Sequence, residues 1–278
     1  MTKIAMLGLG SMNGAILDGL LESGIAAEDV VATSRSAASA QQRSQQHGVQ
    51  VLAEETDSAA NTTAVAEADV VMLGVKPYQI VDLCTEIKDA LKTDAVVVSV
   101  AAAVTVQMME AALNPGQPVV RSMPNTPMSV GLGVVGLTAG THSTEEQAEV
   151  VAQLLGGSGS VHELPEDQID ALSAVAGSGP AYAFYLAEHM AAAGAEMGLD
   201  PELAAQIAAQ TIYGAGRMLV ENQGQNDAAQ LRRNVTSPNG TTQEALETFD
   251  AAGMGQTIRA GAKAAAVRAA EITRSLDG

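Results

Sequence analysis

The sequence predicts an α/β fold in two parts, an N-terminal domain built on a parallel sheet and then an all-α domain. Three observations predict it. The first half alternates short β-rich runs with helical patterns, as parallel strands joined by crossover helices require. A glycine turn, Gly8-Leu9-Gly10, stands directly between the first β-rich run and the first helical pattern. After Leu164 the strand-like alternation stops and helical segments run to the end.

Lys3–Leu7 reads as the first strand and Met12–Ser23 as the first helix. Asp29–Thr33 is the second strand, followed by a polar helix over Ser39–His47. Val49–Leu52 makes a short third strand, and Ser58 is placed to cap a helix ending near Ala66. Asp69–Leu73 and Ala95–Ser99 are continuous apolar runs, which suits strands buried on both faces. Two further strands are expected at Val119–Arg121 and Gly133–Thr138, then a helix over Thr144–Leu155. The glycine-rich stretch Gly156–Gly159 reads as a loop before a last strand at Ser160–Glu163. In the second half, Gly179-Pro180 opens a long helix with proline at its first position. It closes at Gly198, and Asp200-Pro201-Glu202 opens the next with an N-cap, a proline and an early acid. The boundary is expected near residues 160–165, giving residues 1–163 to the sheet domain and 164–278 to the helical domain. The helices over Pro180–Met197 and Ala260–Ala270 are alanine-rich on more than one face, so part of that surface is expected to be buried against a partner subunit.

A chain of 278 residues exceeds the usual size of a single core, which also argues for two domains. Only 2% of residues are aromatic and the formal net charge is −18. Such a chain lacks both the cations that neutralise phosphates and the rings that stack on bases, so nucleic acid is excluded as a partner. An anionic membrane surface is excluded on the same charge argument. The longest apolar stretches carry Gly, Glu, His or Lys within any membrane-spanning window. Cys84 is the only cysteine, so no intrachain disulfide can form. His47, His142, His162 and His189 show no ligand spacing, and no metal site is expected. Met1-Thr2-Lys3 leads at once into a strand with no signal-peptide core, so a cytoplasmic protein is expected.

The turn Gly8-Leu9-Gly10-Ser11-Met12 has the strand-before, helix-after context of a dinucleotide fingerprint. Gly8 permits the tight turn, and Gly10 lets the backbone approach a pyrophosphate at the helix N-terminus. Asn13 stands where a third small residue is usual, and the neighbouring Gly14 is expected to give the close helix–strand packing instead. The end of the second strand reads Thr33-Ser34-Arg35-Ser36, without the acid that would bind ribose hydroxyls. Ser34 can donate to a phosphate and Arg35 can pair with it through its planar fork, which favours NADPH, with NADH as the alternative. Two more loops lie at the carboxyl ends of strands, where open α/β sheets place ligands. They are Gly74-Val75-Lys76-Pro77 and Ser99-Val100-Ala101-Ala102.

Far along the chain, Asn234 to Glu244 reads as a Gly/Pro-rich turn running into a helix. Thr241 and Glu244 have the spacing of a capping box, with Thr241 as N-cap. Backbone N–H groups at this helix start, with the hydroxyls of Ser237, Thr241 and Thr242, suit a small carboxylate.

Together these segments resemble the pyrroline-5-carboxylate reductase family over essentially the whole chain. The resemblance rests on Gly8-x-Gly10-x-Met12, Val75-Lys76-Pro77, Met123-Pro124-Asn125-Thr126-Pro127, Gly177-Ser178-Gly179-Pro180-Ala181-Tyr182 and Ser237-Pro238-Asn239-Gly240-Thr241-Thr242. The chain departs from the family at Asn239, where Gly is usual, and at Asn13, where Ala or Gly is usual. Asn tolerates left-handed backbone better than other non-glycine residues. The resemblance implies a Rossmann domain plus a helical domain that interlocks with a second subunit, forming homodimers that often assemble further into decamers. It implies cofactor contacts at Gly8, Leu9, Gly10, Ser11, Met12, Ser34, Arg35, Asn61, Gly74, Val75, Lys76, Pro77, Ala101 and Ala102. Substrate contacts are implied at Glu166, Asn234, Ser237, Gly240, Thr241 and Thr242. The implied reaction is hydride transfer to the imine carbon of 1-pyrroline-5-carboxylate, giving L-proline. The task is mainly one of holding two reactants in register, with Thr242 as the candidate to assist protonation. Glu166 has a second reading, as an early-turn acid complementing a helix dipole. Two rivals use the same layout: another NADP-dependent imine or β-hydroxyacid reductase, and a non-catalytic nucleotide-binding protein. A β-hydroxyacid enzyme would rely on a lysine in the helical domain, where the only lysine, Lys263, lies too far along the chain to match. The second would not need the polar Ser237–Thr242 loop.

Overall fold

The computed structural model describes residues 2–276. Eight strands form one sheet: β1 (Ile4–Leu7), β2 (Val30–Ser34), β3 (Gln50–Ala53), β4 (Val70–Leu73), β5 (Val96–Ser99), β6 (Val119–Met123), β7 (Gly133–Ala139) and β8 (Gly159–Glu163). Their spatial order is β3-β2-β1-β4-β5-β6-β7-β8. The chain therefore reverses direction across the sheet between β1 and β4, the switch point at which such sheets open a crevice. Pairings are parallel from β3 through β6. β7 runs antiparallel to β6 and β8 parallel to β7. The antiparallel step follows from chain length: the connection 124–132 holds one short helical turn, too little for a parallel crossover.

The crossover helices are α1 (Ser11–Glu22), α2 (Ala37–His47), α3 (Ala60–Val65), α4 (Ile80–Ile87), α5 (Val106–Ala112) and α6 (Glu145–Gly156), followed by the short α7 (Ile169–Leu172). Alternate strand residues feed two cores. Met6, Met72, Val98 and Val120 pack with Ile16, Leu17 and Leu20 of α1 on one face. Leu7, Val71, Leu73 and Val97 pack with Ile80 and Ile87 of α4 on the other. Burial on both faces is why these strands read as unbroken apolar runs. Each fully buried Ile or Leu here contributes about 1.5–3 kcal/mol of transfer free energy. Cys84 is buried in α4, and burial pushes its thiol up to about 12, so it packs as a small apolar group.

Local signals set these helix ends, with one departure from the expected caps. Thr144 and Gln147 form a full capping box at α6, and Asp200 Oδ1 accepts from the N–H groups of Glu202 and Leu203. Ser58 does not cap α3. Its N-cap is Ala59, whose N–H donates to Asp57 Oδ1 at 2.9 Å, because the acid one residue earlier reaches the same turn.

Contacts divide the chain after Gly177. Residues up to Gly177, joined by the chain from Ala265 onward, form one compact unit, and Ser178–Ala264 forms the other. The segment beyond Leu164 stays with the sheet for a packing reason. A Cβ at Gly136 of β7 would meet Leu172 Cδ1 at 2.9 Å and Ile169 Cδ1 at 3.3 Å, so α7 lies directly on that strand. Leu276 packs against the second core.

The helical region contains α8 (Gly179–Glu196), α9 (Pro201–Glu221), α10 (Ala228–Asn234), α11 (Thr241–Ala251) and α12 (Met254–Leu276). α8 and α9 approach closely where a Cβ at Gly194 would sit 3.2 Å from Ala204 Cβ. α10, α11 and α12 bury no residue, and Phe184 and Tyr185 of α8 stand 69% and 64% exposed. Large apolar side chains left open to this extent mark an interaction surface. No helix among the described residues is long and apolar enough to cross a membrane.

Candidate active site

Four loops at the carboxyl ends of β1, β2, β4 and β5, together with Asn61 of α3, carry the expected nucleotide contacts of the first unit. Gly8 takes φ +77°, and a Cβ there would lie 2.7 Å from Val75 Cγ1, so both conformation and space require glycine. Its N–H donates to Thr33 Oγ1 at 3.1 Å, and the Leu9 N–H donates to Thr33 O at 2.8 Å. Leu9 itself is buried, so only its backbone is offered to the crevice. A Cβ at Gly10 would meet nothing within 4 Å. That open space lies over the start of α1, whose N-cap Gly10 brings no side chain to the first-turn N–H groups of Ser11 and Met12. Uncapped donors beneath an open glycine fit a pyrophosphate.

Asn13 takes a role that the spacing does not announce. It is fully buried, and its Nδ2 lies 3.3–3.5 Å from the carbonyl oxygens of Leu7, Gly8 and Met72. These carbonyls belong to the ends of β1 and β4, so one amide links the glycine turn to the strand-four loop. The close packing expected at Gly14 is not there, since a Cβ at that position would meet Arg43 and His47 only at 3.7–4.0 Å. The close approach is at Gly74, where a Cβ would run into the Asn13 amide. Gly74→Ala is expected to destabilise the protein by about 1–3 kcal/mol through overpacking. The double variant Asn13→Ala/Gly74→Ala is expected to recover most of the loss in thermal midpoint. A double variant no better than Gly74→Ala alone would refute this coupling.

At the end of β2, Ser34 is 4% exposed and its Oγ has no partner among the described residues. A buried hydroxyl without a partner is a group awaiting one. Arg35 is exposed and forms no ion pair among the described residues. Asn61 is also buried; its Nδ2 donates to Glu86 Oε1 at 3.1 Å while its Oδ1 has no partner. In the strand-four loop the Gly74 N–H donates to Leu7 O at 2.8 Å, Lys76 is exposed, and Pro77 opens a single turn. In the strand-five loop the Ala101 N–H donates to Ser99 Oγ at 3.2 Å and Ala102 is exposed. The next residue, Ala103, is buried at φ +67°, a conformation that non-glycine residues hold only under constraint.

Three residues on, the start of α5 is held by the carboxylate of Glu166, a residue expected to touch substrate. Its Oε1 accepts from the Val106 N–H at 2.8 Å and from Arg121 Nη1 at 2.9 Å. Arg121 is 4% exposed on β6. Glu166 thus bridges the start of α5 to the sheet. Asn125, in the Met123–Pro127 motif, does similar work: its Nδ2 donates to Ala176 O and its Oδ1 accepts from the Val134 N–H. Neither Arg121 nor Asn125 carried a spacing signal for these links, because Glu166 and Ala176 lie 45 and 51 residues away.

The second unit holds the polar loop. The Gly240 N–H donates to Ser237 O at 3.0 Å, closing a turn whose third residue, Asn239, takes φ +56°. The departure to Asn is therefore met in the left-handed region that Asn tolerates. A Cβ at Gly240 would lie 2.6 Å from Ser237 Oγ and 3.0 Å from Ser237 O, so the turn leaves little room for a side chain there. The expected capping box is absent. Gly240 is the N-cap of α11 and Thr241 its first helical residue, so no side chain caps the helix. Gln243 Oε1 instead accepts from the Asn239 N–H at 2.8 Å. The N–H groups of Thr241 and Thr242 in the first turn of α11 therefore meet no capping side chain. Asn234 ends α10 and its Oδ1 accepts from Gln230 Nε2 at 2.7 Å.

An open glycine turn at the switch point of a doubly wound sheet, followed by a helical region with uncovered apolar faces, defines a dinucleotide-binding oxidoreductase with a dimerisation region. The family model for pyrroline-5-carboxylate reductase dimerisation matches residues 166–272. One for NADP oxidoreductase, coenzyme F420-dependent, matches residues 3–103. The chain is 38% identical to the pyrroline-5-carboxylate reductase of Pseudomonas aeruginosa, covering 99% of this chain and 98% of that one. It is 36% identical to that of Mycobacterium leprae, over 98% and 97% of the two chains. The solved structure of a pyrroline-5-carboxylate reductase from Coxiella burnetii superposes with a TM-score of 0.89 at 34% identity, covering 98% of each chain. The chain belongs to the pyrroline-5-carboxylate reductase family.

Proposed function

We propose that this protein reduces the C=N bond of 1-pyrroline-5-carboxylate with NADPH to give L-proline. The observation that carries the reading is the uncapped start of α11, beside the hydroxyls of Ser237, Thr241 and Thr242, which have no hydrogen-bond partner among the described residues. A carboxylate placed there meets first-turn N–H groups, hydroxyls and the positive end of the helix dipole. Ser237, Gly240 and Thr241 hold the substrate carboxylate, with Asn234 bordering the loop, and the Thr242 hydroxyl hydrogen-bonds the ring nitrogen. NADPH supplies the hydride when bound. The imine carbon gains that hydride, and the ring nitrogen gains a proton that Thr242 helps to deliver. The first unit holds the dinucleotide through the Gly8–Met12 turn, Asn61, the Gly74–Pro77 loop and the Ala101–Ala102 backbone. Ser34 and Arg35 meet its 2′-phosphate. Its main contribution is position, since a protonated imine is already electrophilic.

The exposed apolar side chains of α8 and α9 support a homodimer, and we extend this to further assembly, with a decamer as the expected form. A cytoplasmic setting accords with a biosynthetic step run on NADPH.

The direct test follows NADPH oxidation by absorbance with pyrroline-5-carboxylate beside a panel of hydroxyacids. Turnover is expected with the imine alone, and none with it would remove this reading. For Arg35→Ala, loss of a charge-assisted contact is expected to raise KM for NADPH about tenfold and to spare NADH. Equal losses with both nucleotides would contradict the 2′-phosphate assignment.

A further inference from the structure

The loop after β3 lies against the end of β2. The Glu54 N–H donates to Ser34 O at 3.0 Å, and the Glu55 N–H donates to Arg35 O at 2.9 Å. This backbone pairing carries the Glu55 side chain to the start of α2, where its Oε2 accepts from the Ala37 N–H at 2.9 Å. Ser36 is the N-cap of α2 and its Oγ accepts from the Ser39 N–H, so Ala37 is the first helical residue. One anion of the chain itself thus already sits on the positive end of that helix. Beside it stand the two groups proposed for the 2′-phosphate: the buried, unpartnered Ser34 hydroxyl and the unpaired Arg35.

We propose that Glu55 is a specificity-determining residue that limits the preference for NADPH by occupying the Ala37 N–H with its own carboxylate. The inference rests on the nucleotide reading above. A 2′-phosphate brings close to two negative charges to Ser34 and Arg35. Glu55 opposes it by like-charge repulsion and by holding a donor that the phosphate would otherwise use. NADH brings an uncharged 2′-hydroxyl, which a carboxylate accepts as a hydrogen-bond donor. Glu55 therefore works against Arg35, and the balance of the two sets the ratio of affinities.

The test is Glu55→Gln in the full-length protein, which removes the charge and keeps an oxygen for the Ala37 N–H. Dissociation constants for NADPH and NADH, from nucleotide fluorescence, are the primary readout. The affinity ratio is expected to shift toward NADPH about fivefold at low salt. The shift should shrink in roughly 0.5 M KCl, because the groups are exposed and screened. Glu55→Ala, which also frees the Ala37 donor, is expected to shift the ratio at least as far. A ratio unchanged in both variants, or moved toward NADH, overturns the proposal. A shift that ignores salt overturns its charge-repulsion basis. Failure of the parent protein to bind NADPH at all overturns the nucleotide reading instead, so the two failures are distinct.

Discussion

Thr242→Ala is expected to lower kcat/KM for the imine about 100-fold, within the range that a positioned proton donor contributes. The residue is half-buried in the first turn of α11, a helix that buries none of its side chains. Removing its hydroxyl therefore breaks no core packing, and alanine is the better helix former. Loss of rate with an unchanged thermal midpoint and unchanged nucleotide affinity would isolate the chemical step. Thr242→Ser should keep much of the rate, while Thr242→Val, similar in shape but without the hydroxyl, should behave as Thr242→Ala does. Parent-like kinetics in Thr242→Val would reject the role.

A second large effect is expected from Glu166→Ala, and here the loss falls on stability. The substitution leaves Arg121, with a side chain 5% exposed, inside the sheet domain without its carboxylate. Stranding one partner of a buried pair costs about 3–5 kcal/mol. The lower figure applies because the Glu166 side chain is one third exposed. A fall in thermal midpoint of roughly 6 °C or more follows. The same carboxylate holds the Val106 N–H, which follows the strained Ala103 loop, so KM for NADPH should rise with little change in kcat. Glu166→Gln should restore the Val106 bond and much of the affinity. The paired change Arg121→Met/Glu166→Ala should be less destabilised than Glu166→Ala alone, because no stranded charge remains. A single variant with the parent's midpoint would show that the pair does not hold the loop.

These two side chains mark where reading the chain works and where it stops. The glycine turn and its flanking strand and helix were legible because each is specified within a dozen residues. The polar loop before α11 was legible for the same reason, although its cap was not. Thr241 and Glu244 had the box spacing, but the turn closed by Ser237 O placed Gly240 at the cap and moved Thr241 inside the helix. Asn13 broke the fingerprint in the sequence, yet its amide links the ends of β1 and β4. Glu55 carried no signal, because its partner is a backbone N–H 18 residues away.

The sequence by itself determined the alternation of strands and helices, the two-part division, the open turn at Gly10 and the donor-rich loop at Ser237–Thr242. Each follows from local periodicity, turn chemistry and the backbone freedom of glycine, which act over one or two turns of chain. Only the tertiary structure decided that Glu166 grips Arg121 and Val106, that Gly74 makes room for Asn13, and that Glu55 sits on α2. Those pairings join residues 18 to 61 positions apart, and a side chain's partner at such separation is chosen by how the sheet stacks its loops.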